Sequence, residues 1–263
     1  MSARIRKAAS FLFALVLLGS ASTAFAFDQT HAKFDAILHK YVEGEGVDYA
    51  RLAANSSELD AYLADLKALG VADYAKFSRD EMMALWINAY NAITLKSIAE
   101  KYPVKSIRDI SGVWKKREWS VAGRSLTLDN IEHDILRDMG DPRIHSAINC
   151  ASVGCPPLYH DAFTAEKLDA QLEAAAKNWA RSDARNHFDA ATKTAHISKI
   201  FDWFGGDFIE KYYIEGKFPE LNKSQSAAVN FLYQHADDAD RKVIEQGIED
   251  VDYVKYDWSL NES

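Results

Sequence analysis

Ser78-Arg79-Asp80-Glu81-Met82-Met83-Ala84-Leu85-Trp86-Ile87-Asn88-Ala89-Tyr90-Asn91-Ala92 opens the longest regular segment of the chain. Ser78 and Glu81 form a capping box: the serine accepts a backbone N–H and the glutamate reaches back, which predicts a helix start. The helix should run to about Lys101, where Pro103 stops it. Trp86 and Tyr90, four apart, share a face and read as core. Asn88 and Asn91 lie three apart on another face, where helix propensity does not select asparagine. Two uses are open for them, hydrogen bonds to backbone groups of the cysteine loop or the steadying of an oxyanion.

On the N-terminal side, His31 to Val42 and Ser57 to Leu69 carry apolar residues at helical spacing, punctuated by Gly44, Gly46 and Gly70. On the C-terminal side, Trp114 to Leu128 predicts a hairpin around Ala122-Gly123. A short helix from Leu128 to Arg137 follows, ended by Gly140-Asp141-Pro142, and Ile144 to Asn149 reads as a buried strand entering a cysteine loop. Thr164 to Trp179 is helical and His187 to Ile197 is a second hairpin. Helices near Asp202–Tyr212, Ser224–His235 and Arg241–Gln246 then precede an extended tail through Val254. The balance predicts an α+β fold, mostly helical, with a few short strands and hairpins in one domain over residues 27–263.

Residues 1–26 have the order of an export signal: Arg4, Arg6 and Lys7, an uncharged run from Ala8 to Leu18, and Ala24-Phe25-Ala26 as cleavage site. The strongly apolar run has 11 residues, against the roughly 20 that span a bilayer, so no membrane anchor is expected. The expected location is periplasmic or secreted. Loss of the signal leaves 28 basic against 39 acidic residues, a net of −11. An acidic surface without a basic tract argues against nucleic acid as a partner.

The densest site-like stretch runs from Arg143 to Leu158 and holds His145, Asn149, Cys150, Cys155 and the pair Pro156-Pro157. Loops at strand ends, lined by small residues, are where nucleophiles tend to sit. In an oxidising compartment the same two cysteines are a disulfide candidate. His145 is five residues from Cys150, so an extended segment would point the two to opposite faces, although Cys155 is able to fold back towards it. On the short helix, Glu132 falls about 40° from the centre of the apolar face and His133 lies round the side. Glu132 either pairs with an arginine such as Arg137 or Arg143, or works with His133 to activate a thiol; Asp129 and His133 are spaced as a surface pair. H-E-x-x-H, C-x-x-C, G-x-S-x-G, Walker and G-x-G-x-x-G motifs are missing, and neither metal nor cofactor is expected.

The motifs Gly46-Val47-Asp48-Tyr49, Leu85 to Ala92, Leu128 to Leu136, Asp141 to His145, Asn149 to Pro157, Phe201-Asp202-Trp203-Phe204 and Tyr256 to Asn261 together resemble the domain of unknown function 547 family. The resemblance covers about Gly46 to Asn261 and implies a papain- or transglutaminase-like thiol chemistry. It places the family's Ile-Glu-His motif on Ile131, Glu132 and His133 and its cysteine on Cys150. In plant-type members the second cysteine position is also found as serine, which implies Cys150 as nucleophile. Glu132 and His133 precede Cys150, the reverse of papain, so the implied core is a permuted one, or a downstream histidine such as His196 is the base.

The expected function is an exported thiol-dependent hydrolase or acyltransferase acting on an amide or ester of a peptide, peptidoglycan fragment or γ-glutamyl compound. Cys150 would attack, His133 move the proton, Glu132 orient it, and Asn149 or Asn88 steady the oxyanion. The alternative is a non-catalytic binding domain stiffened by a Cys150–Cys155 disulfide. Thiol–disulfide exchange ranks third, since the C-x-x-C spacing of that chemistry is missing.

Overall fold

The computed structural model describes residues 27–263, so the expected export signal lies outside the described residues. In chain order the elements are α1 (Ala32–Tyr41), β1 (Val42–Glu43), β2 (Gly46–Val47), α2 (Tyr49–Ala54), α3 (Ser57–Ala68), α4 (Val71–Tyr74), α5 (Arg79–Ala99), β3 (Trp119–Val121), β4 (Arg124–Leu126), α6 (Leu128–Ile131), α7 (Leu168–Ala180), β5 (His187–Asp189), β6 (Thr194–Ser198), α8 (Ile200–Phe204), α9 (Ile209–Tyr212), α10 (Lys223–His235), α11 (Asp238–Glu245) and β7 (Asp250–Val254). This is the mostly helical α+β architecture that the sequence predicts, with three small sheets among the described residues. No helix among the described residues is long and apolar enough to cross a membrane.

The capping box opens α5 as expected: Ser78 Oγ accepts from Glu81 N at 3.2 Å, and Glu81 Oε2 accepts from Ser78 N at 2.6 Å. Every residue from Met83 to Leu95 is buried. A helix covered on all sides is the centre of its core, and α2, α3 and α6 pack around this one. A second apolar cluster forms around Trp179, Phe201, Phe208 and Phe231, with Trp179 stacked on Phe201 at 4.6 Å. Helix α7 belongs to both clusters, giving Leu168 and Leu172 to the first and Ala176, Trp179 and Ala180 to the second.

In the largest sheet, β6 pairs antiparallel with β5 and parallel with β7. The parallel pair requires a long crossover, which α8 to α11 provide. The segment expected as an extended tail is therefore a paired strand.

Two local expectations are corrected. Ile144 to Asn149 is not a strand: Pro142–Ser146 forms a 3-10 helix, capped by the Asp141 side chain on Arg143 N at 3.1 Å and closed by Ser146 Oγ donating to Arg143 O at 2.6 Å. Its burial comes from packing on α7 and not from a sheet. The helix expected from Leu128 to Arg137 is α-helical only to Ile131; Glu132–Leu136 widens to a π-helix and Arg137–Met139 tightens to 3-10. Past Ile131 the 100° spacing no longer describes which way a side chain faces.

Candidate active site

The cysteine loop is shaped by its backbone partners. Asn91 on α5 holds its entry, donating from Nδ2 to Ala147 O and accepting at Oδ1 from Asn149 N, both at 2.9 Å. Asn149 folds the loop on itself, with Nδ2 donating to Pro156 O at 2.8 Å and Oδ1 accepting from Ala151 N at 2.7 Å. Between them Ala151 has φ +58°, a left-handed conformation that costs about 1–2 kcal/mol for a residue with a side chain. The buried Arg185 guanidinium donates to Cys155 O at 2.7 Å and Val153 O at 2.9 Å, which fixes the far arm. The chain beyond β7 closes the other side: Val153 N donates to Ser259 O and Gly154 N to Asp257 O, both at 2.9 Å. A Cβ on residue 154 would lie 2.9 Å from Asp257 N and 3.0 Å from the Tyr256 ring, so the approach requires glycine.

This frame brings the two thiols together. Cys150 Sγ and Cys155 Sγ are 2.7 Å apart and both are free, so the disulfide considered as an alternative is not formed. Cys155 is 4% exposed, while Cys150 is partly exposed. Burial pushes the Cys155 thiol up. Donation from the Cys150 thiol, from Tyr256 Oη at 3.0 Å and from Cys150 N at 3.1 Å outweighs that and brings it down to about 7. Cys150 is pushed the other way, by its hydrogen bond to Cys155, by burial and by the charge on Cys155. Above neutral pH the pair therefore holds one proton, on Cys150. Burial and then the neighbouring thiols raise the Tyr256 phenol, which keeps it a donor. Ser152 Oγ completes the cluster, 2.7 Å from Tyr256 Oη and 3.1 Å from Cys150 Sγ.

Neither thiol has a histidine partner among the described residues. His133 Nδ1 lies 2.9 Å from an Arg137 nitrogen, and because a guanidinium only donates, that ring nitrogen is the acceptor. Its other nitrogen faces Asp129 at 3.6 Å, the surface pair that the spacing predicts. His145 is buried between Phe204 and Phe208 and donates from Nε2 to Asp207 at 2.8 Å. His196 stacks on His187 and pairs with Asp252 at 3.3 Å.

The expected Glu132–arginine pair is also corrected. Arg137 binds Asp207 through Nε and a terminal nitrogen, both at 2.7 Å, and Arg143 binds Asp141 and Asp169 at 2.8 Å. Glu132 instead accepts from Tyr90 Oη at 2.9 Å, because the widened turn aims it across α5. Burial, then the Glu132 charge, raises the Tyr90 phenol and keeps its proton in place.

A cavity of about 320 Å³ joins these groups. Both cysteines, Tyr90, Glu132, His133 and His145 line it. Its walls are aromatic: Trp203 approaches Tyr256 at 4.9 Å and Trp258 at 5.9 Å, and Trp114 meets Trp258 edge-on at 6.1 Å. Asn88 and Asn149 do not line it. Asn88 clamps the Phe163 backbone, donating to its carbonyl at 2.7 Å and accepting from its N–H at 2.9 Å. Ser152, Tyr256, Arg185 and Asp207 were not singled out from the sequence. Tyr256 and Trp258 do fall in the Tyr256 to Asn261 motif and Trp203 in the Phe201 to Phe204 motif, the signal available for them.

Fold and site together define a mostly helical α+β protein with a free thiol pair at an aromatic cavity. Residues 74–179 match the family model described as "Protein of unknown function, DUF547", the family that the motifs resemble. No curated protein and no solved structure matches the chain. The matched stretch carries α5, Glu132, His133 and both cysteines; Trp203, Tyr256 and Trp258 come from outside it.

Proposed function

We propose that the protein is an exported thiol-dependent hydrolase or acyltransferase for amide or ester bonds, in which Cys150 is the nucleophile and Cys155 accepts its proton. One observation carries this: a partly exposed thiol in the cavity is hydrogen-bonded to a buried thiol that its donors bring to about 7. A base with that value is matched to neutral pH. Cys150 Sγ bonds to the substrate's carbonyl carbon as its proton passes to Cys155 Sγ. The C–N or C–O bond then breaks, the leaving group takes the proton, and water or a second acceptor releases the acyl group from the thioester. Ser152 and Tyr256 hydroxyls, each 3.1 Å from Cys150 Sγ, supply donors beside the developing oxyanion. His133, expected as the base, is engaged by Arg137 in this arrangement. The proposal therefore does not depend on a permuted papain-like order of residues.

The test is reaction with p-nitrophenyl acetate followed by peptide mass spectrometry. Acetyl on Cys150, lost in Cys150→Ser and slowed in Cys155→Ser, is the expected result; acetylation confined to surface lysines overturns the proposal. A second reading is supported by the 2.7 Å sulfur separation, which lets the pair oxidise to a bridge and leaves a binding domain. Counting free thiols in protein taken from its own compartment separates the two, because a complete bridge has no nucleophile.

A further inference from the structure

We infer that the cavity selects a substrate bearing an ammonium or guanidinium group, held by Glu132 against the aromatic wall. This assigns a substrate class to the proposed acyl-transfer site and rests on that reading of the cavity.

Charge accounting inside the cavity leads there. Two carboxylates line it, Asp129 and Glu132. Asp129 has partners, Lys115 at 3.8 Å and His133 at 3.6 Å. Glu132 makes no ion pair among the described residues, and the Tyr90 phenol donates to its Oε2. The nearby cation that feels its charge, Arg137, already holds Asp207 and His133. A half-buried carboxylate with one neutral donor is incompletely compensated, and a ligand cation completes it. The aromatic part of the lining suits the same group. Trp203, Tyr256 and Trp258 form a continuous run of rings, and Trp203 is 44% exposed, with its ring available to a ligand. Aromatic faces attract organic cations, tryptophan most strongly. Carboxylate and rings thus recognise one charge by two independent means, while the ligand's carbonyl end remains in the same cavity as Cys150.

The experiment measures binding without chemistry. Tryptophan fluorescence of the Cys150→Ser protein is titrated with n-butylammonium, 1-butanol and butyrate, which share a carbon chain and differ in charge. Butylammonium should saturate at a concentration about tenfold lower than butanol. Glu132→Gln should remove that preference, and Trp203→Leu, at an exposed position that folding tolerates, should weaken butylammonium more than butanol. Equal binding of all three, stronger binding of butyrate, or a preference that survives in both variants overturns the inference. Cation preference without any acetyl-Cys150 would overturn the acyl-transfer proposal and keep the cation site; acetyl-Cys150 without cation preference would do the reverse.

Discussion

Two clusters border the same cavity and hold their protons in opposite ways. In the ionic cluster every group has a fixed partner: Asp207 receives two bonds from Arg137 and one from His145, and Arg137 also engages His133. In the thiol cluster Cys150, Tyr256 and Ser152 each present a hydrogen that rotation can redirect, and Cys155 accepts. The ionic cluster thus ties π-helix, cysteine segment and α8–α9 region together, and mobile protons belong to the sulfurs. His133 and His145 are both engaged in the ionic cluster.

The largest expected effect comes from breaking the ionic side. Asp207→Ala leaves Arg137 and the buried His145 without their acceptor and should cost about 3 kcal/mol, read from urea midpoints at neutral pH. Burial alone would raise the Asp207 carboxyl, but Arg137 and then His145 hold it well below the ordinary carboxylate range. Because the folded value is depressed, its contribution is complete above about pH 4 and is lost as pH falls below that, so wild type and variant should converge in acid. A loss under about 1 kcal/mol would mean that the histidines are not locked by this cluster.

On the thiol side, Cys155→Ser removes the group that titrates at about 7, so the lowest alkylation midpoint of the protein should rise from about 7 towards the ordinary 9.0. An unchanged midpoint, followed by iodoacetamide rate against pH, would assign the lowered value to something other than the pair. Tyr256→Phe removes one O–H donor and should raise the same midpoint by about one unit, with the donation from Cys150 N to Cys155 Sγ unaltered. The smallest effect is expected for His133→Gln, which should leave the midpoint where it is. A clear rise there would erase the contrast between the clusters and restore His133 as the base.

The elements legible in the sequence are those with a local cause. The capping box at Ser78 and the Ala122-Gly123 turn each act over three or four residues, and α5 and the β3–β4 hairpin follow. Asn91 was legible as a residue in search of a backbone, and the structure supplies Ala147 and Asn149. What was hidden depends on distance. The wide turn at Glu132–Leu136 has no compositional sign, and the Glu132 partner, Tyr90, is 42 residues away. Ile144 to Asn149 is apolar like a buried strand, yet proline at the first turn and an aspartate cap favour a 3-10 helix. The phenol that serves both sulfurs lies 106 residues beyond Cys150, and spacing rules do not reach that far.

That separation bears on biosynthesis. When both cysteines have left the ribosome, the strand of chain from Tyr256 to Asn261, which roofs them, does not yet exist. At about 5–20 residues per second, some 5–20 seconds pass before it follows. During that interval the thiols lack the phenol and the close backbone cover of residues 257 and 259, and they behave as ordinary cysteines. The surroundings that set the two thiols apart from ordinary cysteines are thus complete only once the last few residues of the chain have docked.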